Sequence, residues 1–175
     1  MKTKLFPLGV LLALSLSAHG ALYTFDAPGD GVIPDNSFIG LSDAHTLSGL
    51  PNSITTVMLR FTLAEGFGTD LNGYLRLGNL VSSPAYDLTA YLGTLGAIPV
   101  TPTEYSVDVS SSFSGLSPNN TWTLFFADPN EGGETTLHGW SLEIAAVPEP
   151  TTWALAIFGG LLGLWRVGRG RKQKA

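Results

Sequence analysis

Four carboxylates lead the residues whose type and spacing could do chemistry. Asp128, Glu131 and Glu134 crowd one glycine-containing stretch, and Asp70 immediately precedes Leu71 at the start of another strand-like segment. Loop oxygens grouped in this way are what a hard cation takes, so calcium is the cofactor this set would hold. The competing reading is plain solvated turns. Outside the first twenty residues histidine stands only at positions 45 and 138. His138 lies one strand step from Trp140, which suggests packing or an edge hydrogen bond. No Gly-x-Ser-x-Gly elbow, His-Glu-x-x-His pair or glycine-rich phosphate loop occurs. Cysteine is absent, which removes thiol nucleophiles and thiolate–metal sites. A Ser-His-Asp set could be drawn from the many serines, but serine and aspartate abound in β-turns and nothing brings three of them together. The expectation is a protein that is not an enzyme.

The elements that must position these residues read as strands. Val57, Leu59, Phe61 and Leu63 alternate with Thr56, Met58, Arg60 and Thr62, the period of a strand with one buried and one wet face. Leu71, Leu75 and Leu77 alternate with Asn72, Tyr74 and Arg76. Tyr86, Leu88 and Ala90 suggest a further strand, and Tyr105, Val107 and Val109 another. Trp122, Leu124 and Phe126 against Thr123 and Phe125 suggest a central strand. His138, Trp140, Leu142 and Ile144 read as one face of the last. With residues 22–25 and short pieces near Ile33, the tally approaches eight strands, enough for an all-β sandwich. Without cysteine, stability must come from sheet packing.

Both ends of the chain carry the marks of export. Lys2 and Lys4 precede an apolar run over residues 5–16, followed by small residues, the pattern of a signal peptide over 1–20. Ala18 and Gly20 satisfy signal peptidase, so mature residue one is expected at Ala21. At the other end Val147, Pro148, Glu149 and Pro150 are followed by an uncharged stretch over 151–165 and a basic tail over 166–175 containing Arg166, Arg169 and Arg171. The prolines hold the chain extended, the apolar stretch reads as a short transmembrane helix, and the tail stays cytoplasmic. Residues 147–175 in this order resemble the PEP-CTERM sorting signal of Gram-negative bacteria. That resemblance implies recognition by an exosortase, a membrane transpeptidase that removes helix and tail, and so transient anchoring followed by an outer-surface or extracellular location.

Between the signals, residues 21–146 form one domain of ordinary size. Of the nine basic residues only Arg60 and Arg76 fall here, against thirteen acids, a net charge of about −11. Such a surface repels phosphate backbones, which excludes nucleic acid as a partner, and suits calcium or a neutral polymer.

The segment Pro118-Asn119-Asn120-Thr121-Trp122-Thr123-Leu124, with Asp128, Gly132, Gly133, Leu137, Gly139-Trp140-Ser141-Leu142 and Ile144, resembles the end of the P domain that follows the catalytic domain of kexin-like and furin-like proteases. Ile33-Pro34-Asp35-Asn36, the strand at 54–63, and Phe67, Asp70 and Leu71 extend the likeness over 31–144. Glu65, Thr69 and Asn120 depart from the residues common in that family. The resemblance implies a jelly-roll β-sandwich without the catalytic domain. The leading expectation is a non-catalytic surface or extracellular-matrix protein that binds or displays, with polysaccharide as its partner. A second is an accessory module docking onto a separate hydrolase. A third is a hydrolase with an unrecognised site, testable at His45 and His138.

Overall fold

The computed structural model describes residues 19–26 and 31–147. The expected signal peptide up to residue 18, including Ala18, and the expected sorting signal from Pro148 onward lie outside the described residues. Nine strands and two short helices follow one another: β1 (His19–Asp26), β2 (Val32–Ile33), β3 (Ser37–Thr46), β4 (Ser53–Ala64), β5 (Asn72–Leu77), β6 (Ala85–Asp87), α1 (Thr89–Leu92), β7 (Thr103–Asp108), α2 (Ser110–Phe113), β8 (Thr121–Asp128) and β9 (Thr135–Val147).

One sheet runs β1-β9-β4-β7, with the two-residue β2 on β9 beyond β1, and the other runs β3-β8-β5-β6. The pairs β1·β9, β3·β8, β4·β7 and β5·β6 are all antiparallel and nest one inside the next, as in a single long hairpin. Rolled up, that hairpin is joined by β4·β9 and β5·β8, which close the two sheets into a jelly roll. The expected sandwich is present. Both sheets turn their period-two apolar faces inward. Val57, Leu59, Phe61 and Leu63 from β4 meet Trp122, Leu124 and Phe126 from β8, all fully buried. Phe61 and Phe126 touch across the layers at 5.4 Å between ring centroids.

Bulges account for the residues whose face the alternation misplaces. Between Thr62 and Leu63 of β4 the partner on β9 jumps from Gly139 to Leu137, so His138 is the extra residue. The parity of β9 flips there: Leu137 and Trp140 both point inward, and His138 is exposed rather than sharing the face of Trp140. In β3 the five residues from Ser37 to Leu41 lie opposite the three from Asp128 to Phe126 of β8. Gly40 makes that bulge with φ +65°, and a Cβ there would collide with the Phe126 carbonyl oxygen. The bulge turns Phe38 and Ile39 outward, 80% and 86% exposed.

The strand expected through Tyr86, Leu88 and Ala90 stops at Asp87. Asp87 Oδ1 accepts the Thr89 N–H at 2.8 Å and the chain turns into α1, which buries Leu88 and Leu92 one helical turn apart. Val109, expected as a strand residue, is instead the buried residue that opens α2, and Phe113 from that turn packs edge-on against Trp122 at 5.0 Å.

The chain enters and leaves the sandwich at one end. His19 pairs with Ala146, and Ser53, the start of β4, pairs with Val147. The connections between β3 and β4, β5 and β6, and β7 and β8 share this end. The connections after β2, β4, β6 and β8 lie at the opposite one.

Candidate functional site

The predicted acidic residues come from the end opposite the termini. Asp128 closes β8 and is 1% exposed. Its Oδ1 accepts the Asn130 N–H at 3.3 Å, and its Oδ2 is buried without a hydrogen-bond partner. Burial pushes the Asp128 carboxyl above its ordinary value. The Asn130 N–H opposes that push, and the charges of Asp35 and Asp70 add to it. Asp70 ends a 3-10 turn (Gly68–Asp70), and its Oδ2 lies 2.7 Å from where a Gly132 Cβ would stand, so Gly132 makes room for it. Glu131 is exposed and accepts from Asn36 Nδ2 at 3.3 Å, while Glu134 is exposed. Asp70 and Asp128 are thus brought into electrostatic reach of each other, joined by Asp35, which the sequence reading did not select. Glu131 and Glu134 face solvent. Among the described residues no three acids or histidines gather around one metal position.

The raised carboxyl has a definite pH consequence. A group whose folded value exceeds its unfolded one costs nothing below the unfolded value and destabilises progressively as pH rises past it. Asp128→Asn keeps the acceptor for Asn130 and removes the charge. It is expected to stabilise the domain by roughly 1–2 kcal/mol at neutral pH, a gain that fades once the pH falls below the ordinary carboxylate range. Thermal unfolding across pH measures it. The same titrations with calcium test the cation reading, which requires calcium to raise the wild-type midpoint and to leave that of Asp128→Asn unchanged.

A second constellation was not foreseen. Strand β3 turns Leu41, Asp43 and His45 toward the interior at the edge of the sandwich. Asp43 Oδ2 accepts the Trp140 indole N–H at 2.7 Å and contacts His45 Nε2 at 2.8 Å. The imidazole lies 5.8 Å from the Trp140 ring. A carboxylate on one sheet therefore holds the largest side chain of the other. Asp43→Ala, which removes the carboxylate that accepts the Trp140 indole N–H, is expected to cost roughly 2–3 kcal/mol in urea unfolding, and His45→Ala less, because the Trp140–Asp43 bond survives. The signal was the alternation Leu41, Asp43, His45, hidden because two of its three inward positions are polar.

The outer sheet faces carry two shallow depressions. On the β3-β8-β5-β6 sheet, the register partners Tyr74 and Phe125 stack at 4.8 Å, and the Arg76 guanidinium lies 4.5 Å from the Tyr74 centroid. With Asn72, Asp87 and Thr89 they line a depression of about 320 Å³. On the other sheet Arg60 sits between Glu143 at 3.1 Å and Glu104 at 3.6 Å, beside a depression of about 260 Å³. The hydrogen bond that Arg60 donates to Glu143 is the main reason the guanidinium holds its proton more tightly than usual.

No family model matches the chain, and no curated protein matches it. Among solved structures, a serine protease of Aeromonas sobria is similar, both by itself (TM-score 0.55, 14% identity over 74% of this chain) and in a complex with a chaperone (TM-score 0.57, 14% identity over 75%). The chain spans 27% of the length of each of these two protease chains. At that identity the likeness is one of fold: this jelly roll is a β-domain of a kind found as part of a serine protease.

Proposed function

We propose that the chain is a non-catalytic exported module that docks onto a separately made hydrolase. What supports the reading is that a similarly folded sandwich makes up about a quarter of a serine-protease chain. His45 and Asp43, the one histidine–carboxylate pair among the described residues, are engaged with Trp140 in holding the sheets together. Signal peptidase removes the leader and an exosortase the C-terminal signal. The likeness of residues 31–144 to the P domain of kexin-like and furin-like proteases belongs to the same proposal.

A second reading, an exported surface or matrix protein that binds polysaccharide, is favoured by the Tyr74–Phe125–Arg76 depression, which sets aromatic surface beside a guanidinium, a carboxylate and an amide. Antibody pull-down of the native protein from cross-linked envelope fractions separates the two. Recovery of one hydrolase in equimolar amount supports docking, and enrichment of polysaccharide without it supports the matrix reading.

A further inference from the structure

Charge is divided between the two ends of the sandwich. The connections at the end where both termini emerge, residues 47–52, 78–84 and 109–120, contain no charged residue. At their tip Leu80 and Val81 stand 69% and 90% exposed. The opposite end collects Asp35, Glu65, Asp70, Asp128, Glu131 and Glu134 and no base in its connections. The connection at residues 88–102, at that opposite end, is also uncharged, so what sets the terminal end apart is that all its connections avoid carboxylates while the opposite end gathers six. An adjacent exposed leucine and valine on an uncharged tip is the surface that contact with lipid, rather than water, would stabilise.

The chain's course names the occupant. After Val147 only residues 148–150 separate β9 from the apolar stretch at 151–165, a reach on the order of 10–15 Å. Strand β1 begins at His19 beside Ala146, so the apolar run at 5–16 leads into the same end. A bilayer that holds either stretch lies against the uncharged loops. The acidic end faces away from it, where the negative surface potential of anionic lipid is weakest.

We infer that the 47–52, 78–84 and 109–120 end is a membrane-seating surface, with Leu80 and Val81 entering the lipid interface while the C-terminal segment is in place. The acidic end is thereby presented outward to a partner. The inference rests on the reading of residues 151–165 as membrane-inserted, and the experiment keeps the two apart. Because the chain has no cysteine, single substitutions accept one polarity-sensitive fluorophore each. The full chain is reconstituted in vesicles of phosphatidylethanolamine and phosphatidylglycerol, labelled in turn at Asn79→Cys, Glu131→Cys and Gly160→Cys.

The expected result is a blue-shifted emission, quenched by nitroxide-bearing lipid, at positions 79 and 160, with position 131 as in water. In a chain that also carries Leu80→Asp and Val81→Asp, both exposed in the fold, the label at 79 returns to its aqueous emission and the label at 160 does not change. A label at 79 that stays aqueous while that at 160 is in lipid overturns the seating surface alone. A label at 160 in water overturns the membrane reading and the seating with it. A label at 79 indifferent to the two aspartates removes the role given to Leu80 and Val81.

Discussion

Trp122→Ala is expected to destabilise the sandwich by roughly 3–5 kcal/mol, enough to unfold a domain of this size at growth temperature. Trp122 is wholly buried on β8, which is hydrogen-bonded on both sides by β3 and β5. Its ring meets Phe113 edge-on at 5.0 Å, and its indole N–H donates to the Pro118 carbonyl at 3.1 Å. Truncation removes the wedge that fixes α2 and the turn before β8 and leaves a cavity between rigid sheets, which cannot collapse to fill it. Trp122→Phe keeps most of the ring and is expected to lose less than half as much, the remainder being the lost indole hydrogen bond to the Pro118 carbonyl, which keeps the Asn120 N–H. Near-UV circular dichroism followed through urea unfolding separates the cases. A loss below about 1 kcal/mol for the alanine variant would place the core elsewhere.

The other large effect is on processing. Substituting alanine for Pro148, Glu149 and Pro150 together is expected to abolish C-terminal maturation, so that the exported chain retains Ala175, whereas the wild-type chain ends near Pro150. Intact-mass measurement of envelope protein reads both. Strand β9 ends at Val147, so a cut near Pro150 leaves its ladder with β4 whole. A signal-peptidase cut before Ala21 removes His19 and Gly20 from β1 and leaves the pairs from Ala21–Ile144 to Asp26–Gly139. A wild-type chain with Ala175 intact would contradict the exosortase reading and leave a permanent anchor.

How much of this was legible in the sequence depended on whether a residue's face followed from alternation alone. Strands β4 and β8 could be read because their inward positions are apolar, apart from Asp128 at the very end of β8. Strand β3 could not, since Asp43 and His45 occupy inward positions, where Asp43 is held by Trp140, nearly a hundred residues away. The segment around Leu88 fits two periods at once. Tyr86, Leu88 and Ala90 suggest a strand, while Leu88 and Leu92 are spaced for a helical turn, and the Asp87 carboxylate on the Thr89 N–H decides for the turn. His138 was assigned to the wrong face because a bulge shifts parity without leaving a mark in hydropathy. For the acids, the loop at 128–134 was readable as carboxylate-rich. Side-chain directions in loops have no period, so Glu131 and Glu134 turned out to face solvent, and Asp35, whose charge adds to the upward push on Asp128, came from another connection. The division of charge between the ends could be seen only once the strand order showed which loops share an end.

The division also gives the docking proposal a direction. A hydrolase would meet either the outward acidic end or the exposed Phe38 and Ile39 raised by the Gly40 bulge near it. Basic residues are then expected on the partner's face.

The most direct test of the account is to purify the mature chain and the hydrolase recovered with it, and to follow activity and mass together by size-exclusion chromatography with light scattering. The account predicts that the chain alone hydrolyses nothing and elutes with the hydrolase as an equimolar complex. Hydrolysis by the chain alone that disappears in His45→Ala while the variant remains folded would contradict it.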